Sequence, residues 1–320
     1  MLTPEQFRDI LQALHAVFDV AANAEISIEA NPNDISSEYI AAVRETGINR
    51  LSLGMQSAND HELKLFARRH DNDELAGAIT GARRVGFDSI NLDLIYGIPH
   101  QTLSDWEWSL SQMLALQPDH ISLYALGLEE GTPLKEWVDS GRLPTPDDDL
   151  TADMYEAATD KLAQAGFAQY EISNWSKPGH QCQHNLQYWR NLPYIGLGPG
   201  AHGYAGGMRY ATLLAPQRYI QALQKAESAY VFPLTPATDD AVQVDKAGEI
   251  AETLIMGLRL TEEGIHRATF RQRFGTDLVD LHRGTLGKYR DYGLLEIDSE
   301  RVRITAKGRL LSNTIFRELV

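Results

Sequence analysis

Four polar residues at long spacings are the first chemistry in this chain: Glu29, Gln56, Arg68 and Asp93. Two carboxylates with an amide can hold an α-amino group, ribose hydroxyls or a metal ion. Arg68 can hold a ligand carboxylate through its guanidinium fork. A competing reading is structural, with Glu29 and Asp93 paired internally to Arg68 or Arg69, because a buried carboxylate is costly without a partner. A second group is His180-Gln-Cys-Gln-His184 with Tyr188 and Trp189 beyond it. If that segment is extended, His180, Cys182 and His184 share a face, and imidazole and thiolate both ligate zinc or haem iron. His202 could complete a zinc site. The competing reading is a loop whose histidines hydrogen-bond and whose Cys182 is a small buried hydrophobe.

The elements that must position these residues emerge from periodicity. Glu29, Gln56 and Asp93 each fall near the end of an alternating apolar/polar stretch: Glu25–Ala30, Arg50–Gln56 and Asn91–Tyr96, with a fourth such stretch at His120–Leu126. Alternation puts Ile26/Ile28, Leu51/Leu53/Met55, Leu92/Leu94 and Ile121/Leu123/Ala125 on one face. Ser27/Glu29, Ser52/Gly54/Gln56, Asn91/Asp93 and Ser122/Tyr124 fall on the other. Helical patterns separate the strands. One opens at Thr3-Pro4 with Gln6 completing a capping box, another starts at Ser36 or Ser37, two span about 59–69 and 72–85, and one spans about 102–116. Strand–helix alternation of this kind argues for a parallel α/β sheet. The polar face suits an open or partial barrel with a polar ligand in its lumen, the alternative being an open sheet with one wet face.

Beyond this the pattern changes. Residues 127–149 read as a Pro-rich, acidic linker, Asp148 or Asp149 as the cap of a helix to about Ala165, and 167–210 as irregular and aromatic-rich. Gly196-Leu-Gly-Pro-Gly-Ala201 matches a dinucleotide fingerprint formally but lacks the preceding strand and following helix, so a tight turn is the better reading. From 245 the order is helices, a hairpin at Gly293–Thr305 and a last helix, a winged-helix-like α+β pattern. The expected division is 1–146, 147–244 and 245–320.

Composition narrows the function classes. The net charge of −15 argues against general nucleic-acid binding. Residues 245–320 hold 13 basic and 12 acidic side chains, so the acidity lies in the first 244 residues. Arg267, Arg271 and Arg273 on one expected helix leave DNA binding by the tail a minor alternative. A single cysteine among 320 residues rules out an internal disulfide framework and points to a reducing, cytoplasmic setting. No apolar run approaches the roughly 20 residues of a membrane span.

Five segments in order carry a resemblance: Ile28–Pro32, Gly54-Met-Gln56, Asn91–Pro99, Gly131–Leu134 and His184-Asn-Leu-Gln-Tyr-Trp189. Together the chain resembles the HemW-type haem chaperones, relatives of anaerobic coproporphyrinogen III oxidase in the radical SAM superfamily. The resemblance implies a partial (β/α) barrel, of which strands 3–6 remain here, and a winged-helix-like C-terminal region. It implies S-adenosylmethionine contacts at Glu29, Gln56, Arg68 and Asp93. It implies a haem ligand at His184 with Tyr188 and Trp189 on the porphyrin, His180 and Cys182 being weaker iron candidates. The partners it implies are haem and a haem-acceptor protein, which can be a membrane protein met transiently.

Family members also carry a Cys-x-x-x-Cys-x-x-Cys motif for a [4Fe-4S] cluster and a Gly-Gly-Gly-Thr-Pro segment. Neither is in this sequence, and Leu2–Gln6 resembles the residues that come after both in the family. The expectation is therefore an N-terminally shortened chain, a fragment rather than a natural short form. It would bind haem, keep the S-adenosylmethionine site, and carry no radical catalysis alone. The alternatives are a radical SAM oxidoreductase acting on a porphyrinogen in the intact protein, and a zinc-structured module.

Overall fold

The computed structural model describes residues 2–68, 71–225 and 230–319, which form two compact units meeting in sequence between Cys182 and Gln183. Arg69 lies outside the described residues. The first unit begins with α1 (Pro4–Val17), where Thr3 and Gln6 form the capping box read from the sequence. Three repeats of strand and helix and a fourth strand come next: β1 (Ser27–Ala30), α2 (Ser37–Glu45), β2 (Arg50–Gln56), α3 (Asp60–Leu65), α4 (Asn72–Arg84), β3 (Ser89–Tyr96), α5 (Leu103–Ala115) and β4 (His120–Ala125). Then come α6 (Pro133–Asp139), α7 (Asp148–Gln164), β5 (Ala168–Glu171) and β6 (Asn174–Ser176).

These strands make one open α/β sheet in the order β1-β2-β3-β4-β6-β5. The first four run parallel, and β6 joins β4 antiparallel. The apolar faces expected from alternation are buried under the helices, except for Ala125, which is exposed at the end of β4: Leu51, Leu53, Met55, Leu92, Leu94, Ile121 and Leu123 all belong to one core. Trp106 on α5 closes that core from the helix layer. Its indole donates to the Met154 carbonyl of α7 at 2.8 Å, which satisfies the one polar atom of a fully buried ring.

Three expectations need correction. The segment 127–149 is not all linker, because Thr132 caps α6 with Pro133 at its first turn, where the missing N–H costs nothing. Asp147, one residue earlier than expected, caps α7. The stretch 167–210 is not irregular. It holds β5, β6 and three further elements, each too short for its period to be counted. The first unit thus continues through β5 and β6 to residue 182, beyond the expected division at 146.

The second unit holds α8 (Gln183–Trp189), β7 (His202–Ala205), β8 (Met208–Thr212), α9 (Pro216–Gln224) and β9 (Thr238–Gln243). β7, β8 and β9 form an antiparallel sheet, and Gly206 and Gly207, both at positive φ, make the two-residue β7–β8 turn. A strand rather than a helix therefore comes after Gly196–Ala201, as the turn reading requires. Next are α10 (Lys246–Gly257), β10 (Ile265–His266), α11 (Arg267–Phe274), α12 (Leu278–Leu281), α13 (Arg283–Asp291), β11 (Leu295–Ile297), β12 (Arg301–Ile304), α14 (Ala306–Arg309) and α15 (Ser312–Arg317). With its sheet order β10-β12-β11, this is the winged-helix arrangement of helices, hairpin and small sheet. No helix among the described residues is long and apolar enough to cross a membrane.

Candidate functional site

Parallel pairing fixes which polar residues meet. Glu29, Ser52, Asn91 and His120 are register partners across β1 to β4, and Gly54, Asp93 and Ser122 form the next row. Register partners share a face, so the polar face read from alternation is one continuous surface. The register slips between Gly54 and Gln56, and Gln56 takes a left-handed φ of 64°. That bulge turns the strand end at the rim. Gly54 leaves room beside it, because a Cβ there would lie 2.5 Å from Gln56 Nε2. Arg68, after α3, hydrogen-bonds through Nη1 to Asn31 Oδ1 just beyond β1. An amide oxygen thus holds the Arg68 guanidinium at the edge of the sheet.

Asp93 is oriented by neutral neighbours. Asn91 Nδ2 donates to Asp93 Oδ1 at 2.7 Å and to Ser52 Oγ at 2.8 Å. Burial pushes the Asp93 carboxyl above the usual carboxylate range; Asn91 and Ser122 work against the rise, Glu29 adds to it, and Arg50 lowers it. A cleft of about 300 Å³ opens beside it, lined by Gln56, Asp93, Ile95, Tyr124, Ala125 and Leu126, with Gly127 at its end. The Tyr124 hydroxyl, desolvated in the cleft although the residue is 46% exposed, is pushed up to about 12, with Asp93 the next cause.

Sequence reading missed the far half of this network. His120 Nδ1 lies 2.6 Å from Asn91 Oδ1, its Nε2 lies 2.7 Å from the Tyr170 hydroxyl, and the Cys182 N–H donates to that hydroxyl at 3.3 Å. The signal for His120 was its parity with Ser122 and Tyr124. Tyr170 had none, since β5 is four residues long. Desolvation holds the His120 imidazole well below its usual range, with Arg50 and His180 adding to the effect.

The His-Cys-His segment is not one extended face. His180 and Cys182 close the first unit, whereas His184 sits on α8 in the second. Cys182 is 3% exposed, with Sγ 3.5 Å from Glu25 Oε1. The residues of the zinc alternative are divided between the two units, and among the described residues the grouping of three metal-capable side chains is His61, Glu62 and Asp105. On α8, His184 is exposed and meets Tyr188 edge-on, ring centroids 4.6 Å apart, as residues four apart on a helix do. Trp189, five residues on, is turned about 140° from His184. Its ring lies under the Arg259 guanidinium at 4.4 Å. The structure thus brings His184 and Tyr188 together and points Trp189 elsewhere. The arginines of the minor DNA-binding alternative are in ion pairs, Arg267 and Arg271 with Asp277 and Arg273 with Glu249.

Donor chemistry tests the implied groups. Glu29, Gln56, Asp93 and Arg68 form a polar, mixed-charge rim at strand C-termini, which fits a zwitterionic ligand with ribose hydroxyls such as S-adenosylmethionine. A [4Fe-4S] cluster takes three or four thiolates, and this sequence holds one buried thiol, so the residues present do not fit it.

Fold and motifs define the class. Residues 2–113 match the Radical SAM superfamily and residues 244–311 the HemN C-terminal domain. The fold resembles that of coproporphyrinogen III oxidase (HemN) from Escherichia coli, a radical SAM enzyme, with a TM-score of 0.82 at 23% identity over 99% of this chain and 74% of that one. More narrowly, the chain belongs to the HemW family. It is 34% identical to the heme chaperone HemW of Bacillus subtilis, over 98% of this chain and 81% of that protein. It is 37% identical to HemW of Mycobacterium tuberculosis, over 100% and 78%. It is 33% identical to the mitochondrial radical S-adenosyl methionine domain-containing protein 1 of Bos taurus, over 100% and 73%.

Proposed function

We propose that this chain binds haem and passes it to an acceptor protein, with His184 as an axial ligand and a residual S-adenosylmethionine site at the rim of the parallel sheet. The observation that carries the reading is the alignment with heme chaperones along essentially the whole chain. The exposed imidazole of His184, steadied by Tyr188, supports it. A carrier must release its cargo, and a ligand on an exposed helix face is accessible to an acceptor. Tyr188 lies on the His184 face and is the aromatic neighbour for a porphyrin there. Trp189 belongs to the same reading on a different face, and His180 and Cys182 remain secondary candidates. The acceptor in this reading is a haem protein, membrane-bound or not, met in a reducing cytoplasm that leaves a lone thiol unoxidised.

At the rim, Asp93 and Glu29 would hold the ammonium and ribose of S-adenosylmethionine and Arg68 its carboxylate, with Gln56 contributing at the bulge. Bound with a cluster, that cofactor supplies radical chemistry. The residues of this chain supply binding and orientation. The oxidoreductase alternative needs thiolates that this sequence does not hold.

The test is haem titration of the chain and of His184→Ala by absorption. Loss or displacement of the Soret band in the variant is expected. An unchanged spectrum and affinity would remove His184 from the role.

A further inference from the structure

The second unit carries a half-open cleft of about 650 Å³, within the roughly 300–1,000 Å³ of small-molecule sites. Its walls include Trp189, Tyr204, Leu260, Ile265, Phe270 and Phe274. Such walls suit a flat, largely apolar body. Trp189 is kept in place by Arg259 stacked on its indole, and Gly206 and Gly207 at the β7–β8 turn put no side chain into the opening.

The polar groups on the wall are few and specific. Arg190 turns Nε and Nη2 to Glu263, with a shortest distance of 2.7 Å. Arg273 turns the same two nitrogens to Glu249, at 2.9 and 2.6 Å. Each guanidinium is therefore held in the wall by a carboxylate that also lines the cleft, Glu263 for Arg190 and Glu249 for Arg273, and Arg273 donates further to the Asn191 carbonyl at 2.9 Å. His266, at the N-cap of α11, adds an imidazole. A flat, largely apolar body, a polar edge to lie against the two arginine–glutamate pairs and a metal for the imidazole together describe an iron tetrapyrrole.

We propose that this cleft seats the porphyrin macrocycle, with His266 as the imidazole offered to the iron there. The inference rests on the haem reading above and moves beyond it. His184 and Tyr188 do not line the cleft, so the chain offers haem two positions, an exposed one on α8 and a recessed one at His266.

The experiment uses the full chain with haemin and with metal-free protoporphyrin IX, which needs no axial ligand. Thr269 is exposed at the mouth, so Thr269→Trp blocks entry from a surface position of α11. If the tryptophan alters the circular dichroism, Thr269→Leu replaces it. Blocking is expected to weaken protoporphyrin IX binding at least about tenfold, a loss of about 1.4 kcal/mol. With haemin, His266→Ala is expected to displace the Soret band. Wild-type affinity for protoporphyrin IX in a folded Thr269 variant would overturn the seat. If haemin binding is lost in His184→Ala and indifferent to Thr269 and His266, the haem reading stands and this inference falls. If the unmodified chain takes up neither compound, the haem reading itself fails.

Discussion

Asn91 Oδ1 and His120 Nδ1 lie 2.6 Å apart in the sealed interior between β3 and β4. The Asn91 amide nitrogen is committed to Asp93 and Ser52, so its oxygen must face the imidazole, and His120 must donate from Nδ1. Nε2 then accepts from Tyr170, and every hydrogen bond from Tyr170 onward points its donor toward the Asp93 carboxylate.

This arrangement predicts the state of His120. The ring stays neutral, protonated on Nδ1, below its ordinary pKa of about 6.5. Its depressed folded pKa means the unfolded chain takes up the proton first. The stability it contributes is complete above about pH 6.5 and declines as pH falls below that toward the folded value. Nitrogen-15 shifts of the ring at pH 5.5 check it; a charged imidazole at that pH would sink the assignment.

Asp93 carries the opposite sign. Its folded pKa is raised, chiefly by burial, so the native state favours the protonated form. Relative stability is full below about pH 4 and lost as pH rises through the folded value. Asp93→Asn is therefore expected to raise the Tm at pH 7 and to leave it unchanged at pH 3, while abolishing binding at the rim. Thermal unfolding at the two pH values decides this, and a Tm lowered at pH 7 would contradict it.

Gly54→Ala separates folding from binding. The added methyl meets the end of the flexible Gln56 side chain, and Gly54 has no left-handed φ, so the backbone tolerates alanine. Stability should change by about 1 kcal/mol or less. Displacing Gln56 should weaken S-adenosylhomocysteine binding at least about tenfold, or about 1.4 kcal/mol. Calorimetry giving equal affinities for both proteins would remove Gln56 from the site.

Asp277 makes the second unit acid-sensitive. Burial opposes its charge, but the Val279 N–H and Arg267 outweigh burial and hold the carboxyl below its usual range. It is also the cap of α12. Its contribution is present above about pH 4 and lost as pH falls through the folded value. Asp277→Ala is expected to cost about 1–3 kcal/mol. Urea unfolding at pH 7 measures it, and a change under a few tenths would show that Arg267 and Arg271 find other partners.

The sequence by itself determined the parallel sheet and its polar face, because period-two alternation in four strands is a local property and a one-residue slip would bury Glu29 or Asp93 against the helices. It also determined the α1 capping box and the turn at Gly196–Ala201. Three things waited for the tertiary structure. Whether His184 stands on a strand or a helix was open, since a spacing of four satisfies both periods in so short a window. The partner of His120 was open, since Tyr170 comes from β5, a strand far along the chain that joins the sheet only through β6, which separates it from β4. The cleft around Trp189 was invisible, since its wall joins residues from α8, the β7–β8 turn, α10 and α11, and only packing decides what such distant side chains surround.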